Sequence, residues 1–216
     1  MILNQAIELI QNFQGKSLTD SLSVIESSIV GYDAGQLNVF YGDRAINDVL
    51  MTSAVSIKQL ASQINVVIHA AGILLSLPKI LEPGEVIQSL SLGAGNTGRK
   101  FDLETNIRIA EYKFIDWKGG PESIRQNGVF KDFFELAEYK TEKRKILYVV
   151  GTTHTLKFLQ GGRALSSVLQ KQPEILARIQ QTYGEGVSKT RDYYGLKKHD
   201  VEISDVTSLI GRTSEI

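Results

Sequence analysis

The sequence predicts an α/β fold, a central mixed β-sheet flanked by helices, with helical additions at the N- and C-terminal ends. Three observations carry that expectation. Apolar residues recur at helical spacing through Ile57, Leu60, Ala61, Ile64, Ile68 and Gly72. Short β-type runs cluster between Val86 and Asp116. A further apolar run, KILYVV at 145–150, follows an intervening helical pattern. Helix, strands, helix, strand, helix is an order that buries its apolar faces by laying helices on both sides of a sheet.

Taken in order, the first 55 residues are rich in Ser, Asn and Gln and predict two short amphipathic helices, Leu3–Phe13 and Leu18–Ile29, the second broken by Gly31 and Gly35. A mostly buried helix is expected from about Val55 to Leu75, ended by Pro78 and the turn at Pro83-Gly84. Val86–Leu92 alternates as a strand. Phe101–Glu104 and Ile107–Asp116 read as a hairpin turning tightly at Thr105-Asn106. Pro121 suits the first turn of a helix running from Ile124 to about Tyr139, with an aromatic stripe at Phe130, Phe133 and Phe134. KILYVV reads as a buried strand. Helices are expected at Thr155–Gln170 and Pro173–Tyr183, and a short strand at Val201–Ile203. The domain reading is an N-terminal helical extension over 1–54, a core over 55–183 and a C-terminal extension over 184–216.

The 216 residues carry 24 Lys plus Arg and 24 Asp plus Glu, with 42% hydrophobic residues. That composition excludes a disordered polyelectrolyte, a collagen and a disulfide mini-protein. The neutral total hides a polarity: residues 1–98 hold four basic against eight acidic residues, and 99–216 hold twenty against sixteen. The chain has no cysteine, which excludes disulfides, thiolate catalysis and Cys-ligated zinc. No basic residue precedes the first apolar stretch. The longest apolar stretch, Val66–Leu77, is too short to span a bilayer. The expectation is a soluble, cytoplasmic protein with no membrane partner.

The hairpin carries the chemistry. With a two-residue turn, Glu104 faces Ile107 and Asp102 faces Ile109. Asp102, Ile109, Glu111 and Lys113 then share one face, and Phe101, Leu103, Ala110, Tyr112 and Phe114 share the other. Two carboxylates on one face make a hard oxygen site for Mg²⁺ or Mn²⁺. A lysine two residues beyond the second acid can orient water or neutralise a phosphorane, so the constellation suits metal-assisted phosphodiester hydrolysis.

This pattern resembles the PD-(D/E)XK nuclease superfamily, with its restriction-endonuclease-like fold. The resemblance rests on Phe101-Asp102 for the Pro-Asp element and Glu111-Tyr112-Lys113 for the acid-x-Lys element, and covers roughly residues 55–151. It implies that Asp102 and Glu111 bind Mg²⁺ or Mn²⁺, with the Tyr112 carbonyl, and that Lys113 assists the water in a cleavage leaving a 5′-phosphate. Gln126-Asn-Gly-Val-Phe130 is similar to the Gln-x-x-x-Tyr element of the RecB-like and phage-exonuclease branches, which makes Gln126 a site candidate. Phe101 stands for proline and Phe130 for tyrosine. Some members carry an acid on the first helix, but Ile57–Gly72 contains none; Glu82, Glu85 or Glu104 are the candidate replacements. The expected partner is nucleic acid, foremost DNA, in restriction, phage defence or repair. A homodimer would suit duplex cleavage. The alternative is a catalytically inactive module of the same fold that binds nucleic acid or supports assembly.

Other signals weigh less. Gly93-x-Gly95-x-x-Gly98 matches a dinucleotide fingerprint, but Arg99–Asp102 leads into a strand where that motif needs a helix. His69 reads as a core histidine, and His154 as a helix-start residue with a weak claim on a site. No Gly-x-Ser-x-Gly elbow is present. Lys140, Lys143, Arg144 and Lys145 read as a solvated loop. Lys157, Arg163, Lys189, Arg191, Lys197 and Lys198 are spread for backbone phosphate contacts.

Overall fold

The two strands that the sequence marks most clearly, at 108–113 and 144–149, lie side by side in a five-stranded open sheet. The computed structural model describes residues 3–93, 98–114, 117 and 123–211. The expectations placed on Pro121, Asp116 and the inner part of the Gly93–Gly98 loop fall outside them. The chain divides into two compact units, Met1–Asn65 and Val66–Ile216.

The first unit is helical: α1 (Leu3–Gln14), α2 (Leu18–Ile29), α3 (Ala34–Asp43) and α4 (Asp48–Ser62). Each start after α1 has a side-chain cap. Ser17 accepts from the Asp20 N–H, Asn47 accepts from the Leu50 N–H, and Asp33 forms a reciprocal capping box with Gln36. That box explains α3, which the sequence reading broke at Gly35. Helix α1 packs on α2 and α4, with Ala6 buried.

Helix α5 (Ile64–Ile80) follows α4 after Gln63 alone, so the single helix expected at 55–75 is two, and Pro78 lies inside the last turn rather than ending it. The run Asp48–Ile80 is long and apolar enough, by length and composition, to cross a membrane, contrary to the shorter stretch read from sequence. Ile73, Ser76 and Leu77 of this run are buried in the second unit.

In the second unit the sheet order is β1 (Ile87–Leu90), β2 (Leu103–Thr105), β3 (Arg108–Lys113), β4 (Arg144–Val149) and β5 (Glu202–Asp205). The first three strands are antiparallel, and β4 and β5 run parallel to β3. This is an α/β architecture with a mixed sheet. One face buries Leu103, Ala110, Tyr112, Ile146 and Tyr148 under α5. The other buries Ile109, Leu147 and Val149 under α6 (Ser123–Glu138), α7 (Thr152–Leu159), α8 (Leu165–Val168), α9 (Pro173–Tyr183) and α10 (Thr190–Lys197). Strand β4 is apolar at consecutive positions because both of its faces are covered. A 3₁₀ turn, Thr207–Ile210, closes the described chain.

Two expectations change here. The helix expected at 155–170 is split into α7 and α8 around Gly161-Gly162. The segment set apart as a C-terminal extension, 184–216, supplies β5 to the sheet and buries Tyr193 and Val201 in the core.

Gly72 fixes how closely α5 approaches the sheet. A Cβ there would lie 2.5 Å from the Phe114 ring, so only glycine lets that ring seat against the helix. Phe114, Tyr112 and Tyr148 continue as a stacked row, with ring centroids 5.3 and 4.8 Å apart. At the hairpin end of the sheet Arg108 is clamped. Its guanidinium donates to Glu85, to the Ile80 carbonyl (2.9 Å) and to the Tyr148 hydroxyl (2.8 Å).

Candidate active site

In the β2–β3 hairpin the last cross-strand pair encloses four residues, 105–108, where two were expected. Glu104 pairs with Ile109 and Leu103 with Ala110. Thr105 is the cause: its hydroxyl oxygen accepts from the N–H groups of Ile107 (3.1 Å) and Arg108 (2.9 Å), which draws two more residues into the turn. A shift of two preserves the side-chain alternation, so Glu111 and Lys113 keep the face read from sequence. Asp102 lies just before β2, next to the paired residues, and its carboxylate reaches the main chain of β3. The Tyr112 N–H donates to Asp102 Oδ2 at 3.0 Å, and the buried Glu111 carboxyl feels the charge of Asp102. Phe101 departs from the expected face. It precedes β2, outside the alternation, and packs with Ile109 and edge-on to Tyr139 at 4.9 Å.

Lys113 points to α6, where its ammonium is ion-paired with Asp132. The sequence reading passed over Asp132. The available signal was an acid set among Phe130, Phe133 and Phe134 on a buried helix. Gln126 lies in the first turn of α6, and its side-chain oxygen accepts from Arg163. That bond is the partner the structure gives the Gln-x-x-x-Phe element.

His69 is a second residue that the sequence reading misjudged. It is not an enclosed core histidine. A quarter of its side chain is exposed, and its Nε2 lies 3.2 Å from Asp102 Oδ1. It comes from α5, the helix on which the resemblance led us to look for an acid. The three candidate acids do not reach the site. Glu85 binds Arg108 and Thr105, Glu82 binds Arg108 and Arg144, and Glu104 binds Lys143.

The electrostatics follow from burial and crowding. Burial, then repulsion from Asp132 and Asp102, pushes the Glu111 carboxyl up to about 10. Burial also raises Asp132, against the pull of Lys113. Asp102 goes the other way: burial opposes its charge, but the His69 imidazole and the Tyr112 N–H hold its carboxyl below the usual aspartate range. Burial alone would depress Lys113, and the Asp132 carboxylate outweighs it and holds the ammonium above the ordinary lysine value.

The donors suit a hard divalent cation. Ile107 and Lys113 carbonyls accept from Arg144 and Val150, on the β4 side. By the alternation of a strand, the Tyr112 N–H and carbonyl therefore turn to the other edge, where the N–H meets Asp102. Two carboxylates and that carbonyl are an all-oxygen set that leaves positions for water and phosphate. A carboxyl kept protonated by neighbouring carboxylates is also one that a cation would ionise. Among the described residues no group of three or more His, Cys, Asp or Glu side chains is arranged to hold a metal ion, so the set depends on the main-chain carbonyl.

Most of the basic residues singled out are engaged internally. Lys143 binds Glu104 and Gln88, Arg144 binds Glu82, and Lys145 donates to the Ala137 carbonyl. Arg163 holds Gln126, Arg191 lies 3.7 Å from Asp192, and Lys197 lies 3.3 Å from Glu138. His154 packs near Trp117, ring centroids 6.4 Å apart. After Gly98 the chain enters β2, not a helix, so the dinucleotide fingerprint lacks its helix dipole.

No family model, curated protein or solved structure matches this chain.

Proposed function

We propose that this chain is a metal-dependent nuclease of the PD-(D/E)XK type that hydrolyses phosphodiester bonds, foremost in DNA. The observation that carries the reading is the Asp102–Glu111 carboxyl pair on the β2–β3 hairpin, bracketed by the Tyr112 main chain and followed two residues on by Lys113. The succession α5, β1, β2, β3, α6, β4, with an antiparallel meander and a parallel fourth strand, supports a restriction-endonuclease-like core.

Asp102, Glu111 and the Tyr112 carbonyl would hold Mg²⁺ or Mn²⁺. Bound there, the ion supplies a lowered pKa for water and neutralisation of charge on a phosphoryl oxygen. Asp102, anchored by Tyr112 and His69, would be the fixed ligand, and Glu111 would be the second once its proton had passed to solvent. Lys113 faces the same side of the hairpin and meets the negative charge that develops on the phosphate. His69 orients Asp102 through its 3.2 Å contact. Gln126, held by Arg163, would act on substrate contacts at the start of α6.

The test is cleavage of plasmid, linear duplex, single-stranded DNA and RNA with Mg²⁺ or Mn²⁺, comparing wild type with Asp102→Asn and Lys113→Ala. The expected outcome is metal-dependent cleavage lost in both variants. Cleavage by neither wild type nor variants, or equal cleavage by all three, would overturn the reading; binding without cleavage would favour the inactive nucleic-acid module.

A further inference from the structure

We propose that Asp132 is a positioning residue, which with Gly128 forms a cradle on α6 that fixes the Lys113 side chain beside the Asp102–Glu111 pair. The inference rests on the nuclease reading for its catalytic consequence, though not for its geometry.

Lys113 leaves the sheet toward α6. Gly128 and Asp132 are four residues apart on that helix, so they stack on one side of it. At Gly128 a Cβ would come 4.0 Å from Lys113 Cε, so the lysine stem runs over the one position of this turn that carries no side chain. A larger residue there would compete with the stem for space. One turn further, the Asp132 carboxylate meets the ammonium. The acid side chain is 9% exposed and the lysine side chain 37%, so the head is fastened to a buried group on the protein side. The next acid along the helix, Glu135, lies 3.7 Å from Lys131.

Packing alone does not call for this arrangement. Asp132 sits between the buried Phe130, Phe133 and Phe134, where an apolar side chain would serve stability as well as a buried ion pair or better. A glycine inside a helix is likewise unfavourable without a local reason. Both exceptions fall on the path of one lysine. A flexible four-carbon stem whose head is ion-paired and whose last carbon passes over a glycine is one whose charge is already in place when a phosphate arrives.

Asp132→Ala and Asp132→Asn are compared with wild type in two measurements. The first is steady-state Mg²⁺-dependent DNA cleavage. The second is the rate of Lys113 acylation by an N-hydroxysuccinimide ester, read by peptide mass spectrometry without metal or DNA. The expected result is a fall in kcat of about tenfold to hundredfold with little change in KM, together with faster acylation of Lys113. Gly128→Leu, which crowds the stem and leaves the Asp132 charge in place, is the second variant and the substitute if Asp132→Ala does not fold. It is expected to lower kcat in the same way. Wild-type kcat in the folded variants, a loss confined to KM, or unchanged acylation of Lys113 in Asp132→Ala would overturn the proposal. A wild type that cleaves nothing would overturn the nuclease reading instead, and the acylation rates would still decide whether Asp132 holds the lysine.

Discussion

Glu111→Gln separates what the acid does for stability from what it does for function. The substitution keeps the shape of the side chain while removing the ionisation. In the metal-free protein, burial and the Asp132 and Asp102 carboxylates hold the Glu111 carboxyl up to about 10, against an ordinary value of 4.5. The folded state therefore holds a proton that the unfolded state releases. Its contribution to stability is intact below about pH 4.5 and is lost progressively as pH rises toward 10. At about 1.4 kcal/mol per pH unit, the loss by pH 7 is at most roughly 3 kcal/mol. Glutamine does not ionise, so the variant should match wild type near pH 4.5 and become the more stable protein by roughly 1–3 kcal/mol at neutral pH. Urea denaturation in EDTA at a series of pH values measures this directly. Adding Mg²⁺ should reverse the order, because only wild type gains from binding the ion. A variant less stable than wild type across the whole range, or a gap that does not widen with pH, would refute the argument that crowded carboxylates govern this site.

Three further outcomes are expected. Gly72→Val places its Cβ 2.5 Å from the Phe114 ring, so it should cost about 1–3 kcal/mol by overpacking, read as a lower urea midpoint. Arg108→Met leaves the shielded Glu85 carboxylate without its ion partner and should cost about 3–5 kcal/mol; Glu85→Gln in the same protein should recover part of that loss in a double-mutant cycle. His69→Ala removes the strongest of the interactions that keep Asp102 ionised, so the Asp102 carboxyl should move up toward the ordinary aspartate value. An NMR titration of the carboxyl carbon would detect the shift, and metal affinity below about pH 4 should fall.

The path from sequence to site was uneven for physical reasons. Leu18–Ile29 and Pro173–Tyr183 match the helices expected, because amphipathic spacing, a proline at the first turn and a glycine just past the end all act within one helix. Helix α3 was lost to Gly35, since the Asp33–Gln36 capping box that offsets it depends on side-chain geometry. The hairpin turn was misread by two residues because Asn106 suggested a tight turn. The Thr105 hydroxyl, which sets the true one, also binds Glu85, twenty residues away. Glu111 and Lys113 keep the shared face expected of them because strand alternation is local. His69 and Asp132 were not legible, because each reaches the hairpin from a helix on an opposite side of the sheet.

By itself, then, the sequence determined the class of fold, the hairpin, and the placing of Glu111 and Lys113 on one face of its second strand, since all of these follow from period-two and helical patterns within a few residues. Tertiary structure alone decided the surroundings that give those groups their chemistry. It set the two-residue shift of the hairpin register, the burial that raises Glu111, the Asp132 carboxylate that holds Lys113, and the recruitment of Glu202–Asp205 into the sheet. Charge and protonation depend on distance and dielectric, and those exist only once elements far apart in the chain have packed.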